Sequence, residues 1–103
     1  MFLKDTFVHN VYFWLKNPAD IEAFVEGVKG LAQISHLRDV HVGVPVPSDK
    51  PIVESSYHVS LLTLFNSQED HDAYQVDPIH EAFLANYVKQ YVDRVMVTDS
   101  TDA

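Results

Sequence analysis

Among six histidines and five tyrosines, His9, His58, Tyr74 and His80 are the candidates for acid–base chemistry. Imidazole is the one side chain whose unperturbed pKa lies between pH 5 and 8. His80 closes the run Asp77-Pro78-Ile79-His80. Asp77 offers the oxygen that a helix N-cap needs, and Pro78 suits the first helical position, where its missing N–H costs nothing. His80 is then the third residue of a helix. Partial positive charge at that end disfavours an imidazolium, and Asp77 opposes this shift. A neutral His80 can take a proton from a carbon beside a carbonyl. Tyr74 stands just before the break, and its phenol can donate a hydrogen bond to the developing oxyanion. The sum is an acid–base pocket for a small carbonyl-containing ligand, with no cofactor. The plainer reading of the same residues is structural: His80 caps backbone groups or bonds to a strand, and Tyr74 packs.

The elements that must position these groups follow from the hydrophobic pattern. Residues Phe7 to Leu15 alternate aromatic and branched side chains on both sides of an extended chain, which predicts a strand carrying His9. Asn17-Pro18 opens a helix whose buried face is Ile21, Phe24, Val25, Val28 and Leu31. Gly27 and Gly30 weaken that helix and leave room for close packing. A second strand is predicted from about Leu37 to Val44, followed by a proline-marked loop. A third runs from Ser56 to Phe65 and carries His58. Ser67 with Asp70 forms a capping box for a short charged helix over Gln68 to Gln75. The helix begun at Pro78 buries Ile79, Phe83, Tyr87 and Tyr91, and a last strand covers about Arg94 to Thr98.

The order is strand, helix, strand, strand, helix, strand. It predicts an α+β, ferredoxin-like βαββαβ fold with an antiparallel four-stranded sheet, as one domain over residues 1–103. The two histidine-bearing strands are expected to be central, adjacent and parallel, with His9 and His58 side by side. Val11, Phe24 and Phe83 are expected to line the pocket with them. His36, His41 and His71 read as surface residues.

Composition excludes several classes. The 103 residues contain no cysteine, so thiolate nucleophiles, disulfides and zinc–sulfur sites are absent. Lys and Arg number 7 against 15 Asp and Glu, a formal charge of −8. That balance argues against a nucleic acid or an anionic membrane surface as partner. No run approaches the length of a membrane span, and no secretory leader is evident, so a cytoplasmic protein is the default. No HExxH or HxxxH spacing supports a metal held by His9, His58 and His80, and none is expected.

Two helices can cover one face of a four-stranded sheet. The other face should then alternate with polar residues, yet neither side of the first or third strand is polar. Tyr57, Val59, Leu61 and Phe65 occupy one side of the third strand, and Leu62 and Leu64 the other. A bare apolar sheet predicts a homodimer packed sheet against sheet. A charge at Leu61 is expected to dissociate or unfold it.

The quoted segments also resemble a known family. His9-Asn-Val-Tyr-Phe-Trp-Leu-Lys16, Tyr57-His58-Val-Ser-Leu, Phe65-Asn-Ser67 and Ala73-Tyr74-Gln-Val-Asp-Pro78-Ile-His80 resemble the stress-responsive A/B barrel (Dabb) domain family. Tyrosine followed four residues later by Pro-x-His is the most specific part. The resemblance implies a ferredoxin-like subunit that dimerises into a dimeric α+β barrel. Many members have no assigned reaction. A plant cyclase of the family closes a polyketide ring with a histidine and a tyrosine, supported by two strand histidines. By position these imply His80 and Tyr74 as the catalytic pair, with His9 and His58 in support. Isomerase and monooxygenase chemistry also occurs on the barrel, and assembly into a larger ring is a further alternative.

Overall fold

The computed structural model describes residues 1–103. Strand β1 (Phe7–Leu15) buries Val11, Phe13 and Leu15 on one face and holds Tyr12 and Trp14 half-buried on the other. Asn17 caps the turn that follows by accepting the Ala19 N–H at 3.0 Å. That turn leads into α1 (Ile21–Lys29), which buries Phe24 and Val28 completely. Burial of each such side chain contributes roughly 1.5–3 kcal/mol.

Strand β2 (Asp39–Gly43) is shorter than predicted, and β3 (Val59–Phe65) begins later than predicted. The prolines of the intervening loop donate no ladder hydrogen bonds, so pairing stops short of them. Helix α2 (Gln68–Gln75) starts where expected, with the Ser67 hydroxyl accepting the Asp70 N–H at 3.1 Å. Helix α3 (Pro78–Phe83) is capped by the Asp77 carboxylate, which accepts the Ile79 N–H at 2.8 Å. It continues as a π-helical segment over Leu84–Val88 and a last α turn at Lys89–Tyr91. Strand β4 (Val92–Ser100) is longer than predicted, because it pairs with β1 from Val8–Ser100 to Leu15–Val92.

The sheet order is β2-β3-β1-β4, and every adjacent pair is antiparallel. The expected parallel pairing of the two histidine strands is therefore corrected. β3 returns directly from β2 by a loop and slots between β2 and β1, so it must run against both. His9 consequently pairs with Thr63 near the far end of β3, while the His58 N–H donates to the Phe13 carbonyl at 2.8 Å.

The helices cover one sheet face. There the ring of Phe24 packs against Phe13 and Phe83 with centroids 4.9 and 5.9 Å away. The Tyr87 ring packs directly against Gly27, where an added Cβ would overlap it, so only glycine admits this contact between helices. The uncovered face presents Tyr12, Trp14, Leu62, Leu64 and Met96, with Asn10, Ser60 and Thr98 among them. On it the Arg94 guanidinium sits 4.2 Å over the Trp14 ring. Leu61 points the other way, into the helix-covered core at 2% exposure. No helix of the chain is long and apolar enough to cross a membrane.

Candidate functional site

A cavity of about 330 Å³ lies between the helices and the sheet. Its floor is His9, Val11 and Phe13 of β1 with Leu61 of β3, and its roof is Tyr74, His80 and Phe83. Half-exposed Val95 and Val97 of β4 form the side nearest solvent, next to Asp99. The walls are mainly apolar and the polar groups converge at one end, as in small-molecule sites generally.

His80 is carried on the first turn of α3, set there by the Asp77 cap and Pro78. Its ring centroid is 4.8 Å from that of Tyr74. Its Nδ1 is buried without a well-formed hydrogen bond. Burial lowers its pKa below 6.5, helped by the nearby His9 and opposed by the Gln75 carbonyl, Asp77 and Glu81. Tyr74 is 1% exposed, and burial alone pushes its phenol well above the ordinary range. Burial thus favours the uncharged form of both rings.

His9 is buried, and its Nδ1 lies 2.6 Å from Oδ1 of Asp99, directly opposite on β4. A carboxylate only accepts, so Nδ1 carries the proton. Burial lowers the His9 pKa, against the pull of Asp99. His9 and Tyr74 rings stand edge to face, 6.4 Å apart.

Other singled-out residues lie elsewhere. His58 is not among the cavity's lining residues; its Nδ1 accepts the Leu15 N–H at 2.8 Å, beside the register shift between Trp14 and Leu15. The antiparallel pairing carries it to the opposite end of β1 from His9. Phe24 is fully buried behind Phe13 and Phe83 and does not reach the cavity wall. Val11 and Phe83 do reach it.

His71 corrects a prediction. It is 8% exposed, not a surface residue, and its ring lies 4.8 Å from His9 and 4.5 Å from Phe7. The charged sequence of α2 concealed it, although His71 and Tyr74 share one helical face at three-residue spacing. Asp99 was missed because the predicted last strand ended at Thr98. No local signal marks it; only its register with His9 does.

The fold and cavity define a ferredoxin-like α+β domain with a mainly apolar cavity whose wall carries His80 and Tyr74. The chain belongs to the stress-responsive A/B barrel domain (Dabb) family, whose model matches residues 7–102. It is similar in structure to a Dabb family protein with a ferredoxin-like fold from Mesorhizobium loti, at TM-score 0.78 and 22% identity over 95% of this chain and 97% of that one. A dimeric ferredoxin-like protein of unknown function from Thermobifida fusca aligns at TM-score 0.74 and 19% identity, over 99% and 95% of the two chains. A hydroxynitrile lyase from Passiflora edulis aligns at TM-score 0.74 and 15% identity, over 95% and 94%. No curated protein matches the sequence.

Proposed function

We propose that the protein is a homodimeric Dabb-domain protein that holds a small carbonyl-containing molecule in the cavity between helices and sheet. The dimer reading rests on the uncovered face with Tyr12, Trp14, Leu62 and Leu64, and on the dimeric state described for the Thermobifida fusca neighbour. The ligand reading rests on one observation: the His80 and Tyr74 rings lie side by side in the wall of a mainly apolar cavity, where burial favours the uncharged form of each. A phenol donates to a carbonyl oxygen, and the apolar walls accept the carbon frame.

The test is NMR titration with short β-diketones and aryl ketones. Saturable shifts of the His80 and Tyr74 ring signals are expected, and His80→Ala should keep the fold and weaken binding. Equal affinity in a folded His80→Ala protein would refute the ligand reading. Light scattering should give twice the chain mass.

The protonation states favour a second reading, a cofactor-free enzyme of the cyclase, isomerase or monooxygenase type. His80 removes a proton from the carbon beside the carbonyl, the electron pair moves onto the carbonyl oxygen, and Tyr74 donates a hydrogen bond to it. The fold shared with the Passiflora edulis lyase is compatible with such chemistry. Deuterium exchange at the α-carbon of a bound ketone, lost in His80→Ala, would support it; exchange unchanged in that variant would exclude His80 as the base.

A further inference from the structure

The cavity does not account for His71. Its ring packs against Phe7 and Phe65, with centroids 4.5 and 5.4 Å away. Its Nδ1 lies 3.0 Å from Oδ1 of Asp72. The carboxylate accepts, so the proton sits on Nδ1 and Nε2 presents a bare lone pair. That Nε2 is buried and has no hydrogen-bond partner. Buried polar atoms are nearly always paired, so an orphan of this kind calls for an explanation.

His71 does not stand alone. One ligand atom each of His9, His71 and Asp99 lie within 4.8 Å of one another. They come from three elements, β1, α2 and β4, and meet only because register places Asp99 opposite His9 and α2 crosses above them. We propose that His9, His71 and Asp99 form a binding site for a divalent first-row transition ion, with Zn²⁺ or Fe²⁺ as the natural occupants.

The chemistry of the donors selects the ion. Two imidazoles and one carboxylate suit Zn²⁺, Fe²⁺, Co²⁺ or Ni²⁺, whereas Mg²⁺ and Ca²⁺ favour all-oxygen sites. Asp72 supplies the outer support usual for a metal-bound histidine, fixing the tautomer and the ring. His9 would coordinate through the nitrogen that now donates to Asp99, so its proton must move to the other ring nitrogen. Ligand atoms around a tetrahedral ion with bonds of about 2.1 Å stand roughly 3.4 Å apart, so the His9–Asp99 contact at 2.6 Å must open and His71 must adjust on binding. Three protein ligands leave a position open, and His9 and Asp99 both border the cavity. The open position therefore faces the space that Tyr74 and His80 line. A simple His9–Asp99 hydrogen bond explains those two residues but leaves Nε2 of His71 unpaired.

The experiment is titration of chelator-treated protein with Co²⁺, followed by its visible absorption, with Zn²⁺ and Mg²⁺ as competitors. Saturable binding of one ion per chain is expected, displaced by Zn²⁺ and not by Mg²⁺. His71→Leu should abolish it. Because that core change can cost the fold, Asp72→Asn is the second probe. Asp72 is exposed, and its loss should weaken Co²⁺ affinity about 10- to 100-fold with the fold intact. His36→Ala and His41→Ala, on the surface, should leave affinity unchanged. Absence of saturable binding, equal displacement by Mg²⁺, or affinity unaltered in Asp72→Asn would overturn the site.

Discussion

The rings of Tyr74 and His80 face each other across the break between α2 and α3, 4.8 Å apart. Six residues along an unbroken α-helix turn through about 240° beyond a full circle, which would point the two side chains apart. The break at Asp77-Pro78 prevents this. Pro78 cannot continue the preceding helix, and the Asp77 cap starts α3 in a new direction, bringing His80 back over Tyr74.

Tyr74→Phe removes only the hydroxyl from a residue that is otherwise core. Packing against Phe65, 5.1 Å away, should persist, and the denaturation midpoint should change little. If the phenol stabilises a developing oxyanion, α-carbon exchange of a bound ketone should fall about 10²- to 10³-fold. Wild-type exchange in the variant would remove Tyr74 from the reaction.

Acidification should destabilise the protein. His9 and His80 both have folded pKa values lowered below 6.5, chiefly by burial. Between the folded and unfolded values the unfolded chain binds more protons, so stability rises with pH there. The contribution is complete above 6.5 and is lost as pH falls from 6.5 toward the folded values. The slope should not exceed about 1.4 kcal/mol per pH unit for each histidine. Urea denaturation across this window tests it: His80→Asn should flatten the curve, and a wild-type curve already flat would contradict the argument.

His58 has a structural task, stitching the end of β1 by accepting the Leu15 N–H. Loss of that partner leaves a part-buried donor unpaired. His58→Ala should therefore cost about 1–3 kcal/mol, read from chemical denaturation. Ketone titration should give unchanged affinity in the same variant. A large loss of affinity with unaltered stability would show that His58 serves the ligand instead.

The sheet surface that a second copy would cover is best probed at Leu62. Leu61→Asp places a charge in the helix-covered core and should unfold the chain whether or not it dimerises. Leu62→Asp places it on the uncovered face, between His41 of β2 and Asn10 of β1. Light scattering should then report monomers with native circular dichroism. Persistent dimers would rule out this face as the interface.

Features set by a few neighbouring residues could be read directly from the chain. The caps at Asn17, Ser67 and Asp77 lie within two or three residues of the N–H groups they accept. The alternation in β1 and β3 needs only the period of an extended chain, and with element order it was enough to indicate the sheet and its two apolar faces. The Tyr74–His80 pair was legible because both belong to one short stretch around a proline. Features that depend on partners far along the chain emerged only in the folded arrangement. The direction of β3 against β1 sent His58 to the opposite end of the strand from His9. Register over some ninety residues put Asp99 within 2.6 Å of His9. Packing of α2 on the sheet buried His71, whose charged neighbours had made it look solvent-facing. Local pattern says which side of an element is apolar; strand pairing and helix docking, summed over many distant contacts, say which atoms meet.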